Sequence, residues 1–138
     1  MQDLELARLR LEEKNLALVV VKKGKVISET EFHGINGFVE VIELFGKELA
    51  GSAVADRIVG QAVALLFVYS QVSAVFAVTI SMEGVRTLEH NDIFYQFEKY
   101  VPAVLNQKRD DICPFEKLAL TCATPEEAYR KLRAKVES

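Results

Sequence analysis

"AGSAVADRIVGQAVALLFVYS", residues 50–70, decides the fold of this chain. Ser52 or Asp56 has the side chain of an N-cap, and an almost uncharged run follows it. A helix that is apolar all round has no face for water, so we expect it at the centre of the fold. The sequence predicts that this longest helix packs across a β-sheet.

The apolar run continues past this helix. Residues 58–82 carry no charged side chain and are numerous enough to cross a bilayer. Polar residues interrupt the run, and its second half, "VSAVFAVTI" (residues 72–80), is β-branched and aromatic. This change of character is typical of a helix followed by a buried strand. We therefore expect no membrane span.

The preceding segments predict a helix and a hairpin. Residues 3–14 place leucines among charges, as in a short amphipathic helix. Two β-branched runs then flank "KKGK", with Gly24 at the turn. Residues 34–37 read as a loop, and a helical apolar stripe over residues 38–45 stops near Gly46.

The C-terminal third predicts one further strand and closing helices. A short helix or turn (residues 82–92) precedes a strand (residues 93–101) and a loop from Pro102. "CPFEKLAL" reads as a helix start. The closing helix has Thr124 as N-cap, Pro125 at the first position and Glu127 to complete a capping box. The predicted order is α, β, β, α, α, β, α, β, α, α.

This order indicates an α/β fold, a three-layer α/β/α sandwich with a mixed sheet. A length of 138 residues fits a single domain, residues 1–138. The net charge of −3, with mixed signs along the chain, argues against a nucleic-acid binder. The N-terminus lacks the apolar core of a signal peptide and only two cysteines occur, so we expect a reduced, cytoplasmic setting.

A catalytic zinc site is not expected. Zinc-dependent nucleobase deaminases use a His or Cys two residues before a Glu, followed later by Pro-Cys-x-x-Cys. The two histidines, His33 and His90, are not part of that pattern, and residues 58–82 contain no His, Cys or Glu. We predict no metal and no cofactor. Both histidines are expected in loops.

The start of the predicted central helix is one candidate ligand site. Asp56, Arg57 and Gly60 would stand at a helix N-terminus, where free N–H groups and the helix dipole favour an anion. Alternatively, Asp56 caps the helix and Gly60 permits close packing. A glycine-lysine stretch at residues 46–52 lacks the residue order of a phosphate-binding P-loop.

"RDDICPFEKLAL", residues 109–120, is the second candidate site. Cys113 precedes Pro114, so its thiol would lie at a helix N-terminus, where a thiolate gains nucleophilicity. Glu116 at the third helical position is equally well explained as a cap partner, and a lone cysteine is often a small packed residue. Cys122 is expected in the core.

Three aromatic residues follow strand alternation near the C-terminal third. Tyr95, Phe97 and Tyr100 are therefore expected in the core or at an interface, and not as a stacking platform for bases.

Together, "ADRIVGQAVALL" and "LNQKRDDICPFEKLAL" resemble the two signature stretches of a prokaryotic family, domain of unknown function 1893. The matching positions are Asp56, Val59, Gly60 and Ala62 in the first stretch and Asn106, Cys113, Pro114 and Glu116 in the second. Gln61 and Gln107 stand where the family often has Lys and Arg. The resemblance implies a cytidine-deaminase-like fold, in which the two stretches build the active site of deaminases, here without metal ligands.

Three hypotheses follow. The first is a deaminase-like domain without zinc deamination that binds a nucleotide-like or anionic metabolite, with Asp56, Arg57, Gly60, Asn106, Cys113 and Glu116 as ligand-binding residues. In it, Asp56 and Asn106 supply hydrogen bonds and Arg57 is the charge partner. The second is a metal-free enzyme that uses Cys113 as a thiolate nucleophile or redox centre. The third is a structural or interaction protein. Self-association is common in this fold group, so a homodimer is also expected.

Overall fold

A mixed sheet forms the middle layer of the computed structural model, which describes residues 2–32 and 34–137. Within those residues the strands are β1 (Leu18–Lys22), β2 (Lys25–Thr30), β3 (Ala53–Val59), β4 (Ala74–Ser81) and β5 (Phe94–Val101), in the spatial order β2-β1-β3-β4-β5. The helices are α1 (Gln2–Glu13), α2 (Ile35–Phe45), α3 (Gln61–Tyr69), α4 (Met82–His90), α5 (Pro114–Ala119) and α6 (Pro125–Glu137). β1 pairs antiparallel with β2 and β3, whereas β3, β4 and β5 run parallel.

The two faces of the sheet are covered unequally. Leu4 and Leu11 of α1 are buried in one cluster with Val19 and Ala55 on the first face. The second face carries the larger cluster, in which α2, α3, α5 and α6 take part. α3 is central in this layer, since it contacts α4, α5 and α6. The predicted three-layer α/β/α sandwich is therefore confirmed.

The β1–β2 hairpin turns where it was predicted. Lys23 and Gly24 both have positive φ, at 52° and 78°, which suits the twist of a two-residue hairpin turn. The Asp3 carboxylate accepts hydrogen bonds from both backbone amides, at 3.0 and 2.9 Å. The start of α1 is thereby fixed to the hairpin.

The prediction for residues 50–70 was wrong in one respect: the stretch is a strand followed by a helix. Ala53–Val59 form β3 at the middle of the sheet, and α3 begins only at Gln61. Asp56 lies opposite Leu18 and Ala77 in the adjacent strands, so it caps no helix. Periodicity does not distinguish a short, largely apolar strand from the start of a buried helix. α3 is consequently not the longest helix.

Smaller differences concern loops. Gly37, expected in a loop, lies within α2, and His90 ends α4. His33 lies outside the described residues. The capping box of α6 is present: the Glu127 amide donates to Thr124 Oγ1 at 3.1 Å, and the Glu127 carboxylate accepts from the Ala123 amide at 2.6 Å. No helix of the described ranges has the length and apolar character to cross a membrane.

Candidate functional site

A cavity of about 790 Å³ opens where β3 ends and α3 begins, between the start of α2 and the loop that leads into α5. We call it the α3–α5 cavity. Its apolar lining comes from Ala17, Ile35, Ile58, Ala62, Val63, Val104, Leu105, Pro114 and Phe115. Its polar lining comes from Asn36, Asp56, Arg57, Asn106, Gln107, Lys108, Asp110, Cys113 and Glu116, and Gly34 and Gly60 complete it. The six residues predicted for ligand binding thus lie around one space, while their roles in binding stay predictions.

Glu116 joins the two signature stretches. Its buried carboxylate accepts hydrogen bonds from the backbone amides of Gln61 and Ala62, at 2.7 and 2.8 Å. Those amides are among the unpaired donors at the N-terminus of α3, which also favours negative charge. Glu116 therefore caps α3, and its interpretation as a cap partner of its own helix was wrong.

The backbone at Gly60 makes room for this carboxylate. A Cβ placed at residue 60 would stand 2.1 Å from Glu116 Oε1, so any larger residue must displace it. Burial raises the pKa of Glu116, the two amides lower it by less, and the charge of Glu83 raises it further. The anion site predicted at this helix start is occupied by a side chain of the protein itself.

Asp56 presents a further carboxyl group to the α3–α5 cavity. Its position in β3 places it at the middle of the sheet, where it keeps only partial exposure. Burial raises the pKa of Asp56 to about 7, against smaller opposing effects of the backbone amides of Arg57 and Ile58. At neutral pH this group can therefore both accept and donate a hydrogen bond.

Arg57, the predicted charge partner of a ligand, is bound on one side to groups at and after the end of α1. Its guanidinium donates from Nε to the Leu16 carbonyl at 2.7 Å, and from Nη2 to the Leu11 carbonyl at 3.1 Å and Asn15 Oδ1 at 3.4 Å. Leu11 lies in the last turn of α1, where a helix favours positive charge, and Asn15 and Leu16 follow the helix. Strand alternation explains the difference, because neighbouring residues of β3 point to opposite faces of the sheet.

Asn106 closes the loop that leads into α5. Its Nδ2 donates to Asp110 Oδ1 at 2.9 Å, and its Oδ1 accepts from the Asp110 amide at 3.2 Å. Its own amide bonds to the Asp111 carbonyl at 2.9 Å, and Leu105 and Ile112 form an antiparallel bridge. The side chain that was predicted to bind a ligand is thus committed mainly to shaping this wall of the cavity.

Cys113 is the N-cap residue of α5 and is half-buried at the wall of the α3–α5 cavity. Its amide donates to the Val104 carbonyl at 3.0 Å, and its carbonyl accepts from the Lys117 amide at 3.0 Å. Cys122 packs against the main core, as predicted, and its thiol lies 3.5 Å from the Leu118 carbonyl.

The residues between the two helix starts do not fit a zinc ion. Zinc needs three or four converging Cys, His or carboxylate ligands. Over residues 2–32 and 34–137, no three such side chains form a group that can hold a metal. Glu116 and Cys113 are present, but the Glu116 carboxylate is already bound to two amides.

Sequence reasoning missed the part of the cavity that α2 and the loop contribute. Ile35 and Asn36 line it from α2, and Lys108 and Asp110 line it from the loop before α5. No local pattern marked these residues, since only the tertiary fold brings them beside Asp56. The resemblance to family stretches located the remaining walls.

Comparison with known proteins supports the family resemblance of the two stretches. The model of a domain of unknown function, DUF1893, matches residues 7–136. The chain is similar to the crystal structure of a DUF1893 family protein (TM1506) from Thermotoga maritima, with 30% identity and a TM-score of 0.88, over 97% of this chain and 90% of that chain. No curated protein matches.

A second solved structure is a more distant relative. It is a diaminohydroxyphosphoribosylaminopyrimidine deaminase/5-amino-6-(5-phosphoribosylamino)uracil reductase from Thermotoga maritima, with 19% identity and a TM-score of 0.50, over 77% of this chain and 34% of that chain. At this identity the similarity concerns the fold alone. The expected cytidine-deaminase-like fold is confirmed.

Proposed function

The chain belongs to the DUF1893 family, a domain of unknown function, and on that premise we propose that its α3–α5 cavity binds a small nucleoside-like molecule. Zinc-dependent deamination is not its chemistry. The observation that carries the proposal is Asp56, a partly exposed carboxyl with a pKa of about 7, at the wall of a largely apolar cavity. Ligand cavities of a few hundred Å³ characteristically combine an apolar lining with a few such polar groups.

The charges of the cavity favour a neutral head group over an anion. Asp56, Asp110 and Glu116 contribute carboxyl groups. The amides that open α3 are bound to Glu116, and the guanidinium of Arg57 is bound to the end of α1. A phosphate placed beside Asp56 would meet this negative charge, whereas the cation Lys108 lies on the exposed loop of the cavity.

A nucleobase meets these requirements. Its amino and imino groups offer the donors that a carboxylate accepts, and its ring offers a flat apolar face. Ile58, Val63 and Phe115 supply apolar contacts beside Asp56. If the ligand is a nucleotide, Lys108 at the exposed loop is the cation that its phosphate would approach.

A thermal-shift screen tests the proposal, because a ligand that binds only the folded state raises the melting temperature. Nucleobases, nucleosides, nucleotides and inorganic phosphate are screened against the wild type, Asp56→Asn and Glu126→Gln. Asp56→Asn keeps the size of the side chain but cannot carry the charge, and Glu126→Gln is a matched change at the exposed start of α6. We expect stabilisation by nucleosides in the wild type and Glu126→Gln, and its loss in Asp56→Asn.

Two results would overturn the proposal. Stabilisation by inorganic phosphate alone would indicate an anion site. The second result has two parts: no nucleoside raises the melting temperature, and Asp56→Asn and Cys113→Ser change only the stability of the protein. This result would favour a structural or interaction protein.

A second candidate function uses Cys113 as a nucleophile. The observation that favours it is the common cavity of Cys113 and Asp56, because a carboxyl group with a pKa of about 7 can take up a thiol proton at neutral pH. Alkylation by iodoacetamide, followed for each cysteine by mass spectrometry, provides the test, with half-buried Cys122 as internal control. We expect Cys113 to react faster than Cys122 and more slowly in Asp56→Asn; equal rates would refute this candidate.

A further inference from the structure

β5 forms an open edge of the sheet. It pairs with β4 on one side, and among the described residues no backbone hydrogen bond joins Phe94–Val101 to any other segment. The chain after β5 turns back over the sheet, where residues 104–108 line the α3–α5 cavity beside Asp56. An edge strand of eight residues with unpaired N–H and C=O groups is a ready template for another strand.

The side chains of this edge are unusually apolar for a surface. Phe94, Phe97 and Tyr100 are 44, 43 and 50% exposed. Tyr95 stacks on Phe97 along one face of the strand, with ring centroids 6.2 Å apart and an interplanar angle of 15°. Phe94 and Tyr100 alternate with these two residues along the strand, and the Tyr100 ring lies 6.3 Å from the Phe97 ring, tilted by 48°.

The opposite edge of the sheet is protected. β2 presents no aromatic residue, and Glu29 within it forms ion pairs with Arg10 at 2.8 Å and Lys14 at 3.7 Å. The pairing of β1 with β2 also shifts register between Val20 and Val21. Charges and bulges are the usual protection of an edge against further pairing. Of the two edges of the sheet, β5 is therefore the one that can pair with another strand.

The sequence of β5 can pair with a second copy of itself about its central residue. "FYQFEKY", residues 94–100, has Phe97 at its centre with three residues on each side. A two-fold axis perpendicular to the sheet at Phe97 would place Gln96 opposite Glu98 of a second copy, Tyr95 opposite Lys99, and Phe94 opposite Tyr100. These are a hydrogen-bonding pair, a cation–π pair and an aromatic pair, each formed twice.

Neighbouring registers are worse. An axis at Glu98 sets the two Glu98 carboxylates against each other, and an axis at Lys99 does the same with two ammonium groups. An axis at Gln96 sets Phe94 opposite Glu98 and leaves Tyr100 outside the aromatic pairs. Like charges directly opposite one another destabilise a strand pair. The Phe97 register is the one that uses all seven residues without a charge conflict.

From this self-complementarity we infer that β5 is the interface of a homodimer, in which two copies pair their β5 strands antiparallel about Phe97 and join their sheets into one. The occupant of the edge is a second copy of this chain because a two-fold axis makes the same patch serve both sides. The edge amides and carbonyls are then paired, and the exposed aromatic side chains gain cross-strand neighbours from the second copy.

Sedimentation velocity over a series of protein concentrations tests the interface. For the wild type we expect a species of twice the 15.5-kDa chain mass. Phe97→Lys and Phe97→Glu each place like charges on the axis, so each variant alone should sediment as a monomer, with the dimer Kd raised at least about tenfold. Mixing the two variants sets Lys opposite Glu and should restore the dimer.

Leu44→Lys is the matched control, because Leu44 is 68% exposed on α2 and gains the same charge. We expect it to dimerise like the wild type. Restoration in the mixture also demonstrates that both variants fold. A wild type that stays monomeric at the highest concentration, single variants that sediment like the wild type, or a mixture that stays monomeric would each overturn the inference.

Discussion

Glu116 fills the space that a side chain at Gly60 would need. A Cβ at residue 60 would lie 2.1 Å from Glu116 Oε1, and the same carboxylate accepts the amides of Gln61 and Ala62. One contact thus joins two stretches that are more than fifty residues apart along the chain. It explains why a glycine precedes α3 and why a glutamate follows Cys-Pro.

Gly60→Ala should therefore be strongly destabilising for a steric reason. Gly60 has φ of −109°, which any residue can adopt, so the cost comes from the displaced carboxylate and not from the backbone. We expect the free energy of unfolding to fall by about 2–4 kcal/mol. Urea unfolding of the purified variant measures this change.

A double-mutant cycle with Glu116→Ala separates this cause from others. Glu116→Ala alone should also destabilise by about 2–4 kcal/mol, because the two amides lose their partner and the site is buried. In the Glu116→Ala background, Gly60→Ala should cost no more than about 1 kcal/mol, since nothing remains to be displaced. Additive effects of the two changes would contradict the contact.

Asp56 should make stability depend on pH. Its pKa is raised from 3.8 to about 7, so the folded state holds the proton more tightly than the unfolded chain. The contribution of Asp56 to the free energy of unfolding therefore falls as pH rises from about 4 to about 7, by at most about 4 kcal/mol, and by less because Asp56 is partly exposed.

Asp56→Asn removes this dependence. We expect the variant to gain stability over the wild type as pH rises through that window, and the difference to level off above pH of about 7. Urea unfolding at several pH values measures it, with Glu126→Gln as control; Glu116 titrates in all three proteins and cancels from the comparison. If the free energies of unfolding of Asp56→Asn and wild type changed in parallel with pH, burial would not raise the pKa of Asp56.

Arg57 should matter for stability and not for binding. Arg57→Lys keeps the charge but cannot reproduce the fork of hydrogen bonds to Leu11 and Leu16, so we expect a loss of about 1–2 kcal/mol in the free energy of unfolding. The response to nucleosides in the thermal-shift screen should persist. If Arg57→Lys abolished that response while its stability stayed unchanged, the guanidinium would be part of the binding site.

Much of the fold follows from local sequence patterns. The hairpin at Gly24 and the capping box at Thr124 are determined by neighbouring residues, and both are present. β3 was missed because periodicity does not distinguish a short buried strand from the start of a buried helix, and Gly60 was taken for a packing position within a helix when it separates the strand from α3.

The site was predictable only in outline. The resemblance of two stretches to one family predicted that Asp56, Cys113 and Glu116 lie close together, and all three line the same cavity. Their partners were not predictable, because Glu116 bonds across to α3 and Arg57 bonds to the end of α1. Such contacts depend on how distant segments pack, which no local spacing encodes.

Amide chemical shifts in the ¹⁵N-labelled protein, recorded during titration with each of the four ribonucleosides, test the central claim most directly. Binding in the α3–α5 cavity predicts that at least one nucleoside shifts amides of Ile58, Gly60, Gln107 and Cys113 in a saturable way, and that Asp56→Asn abolishes the effect. The absence of saturable shifts with all four, or shifts confined to residues away from the cavity, would contradict it.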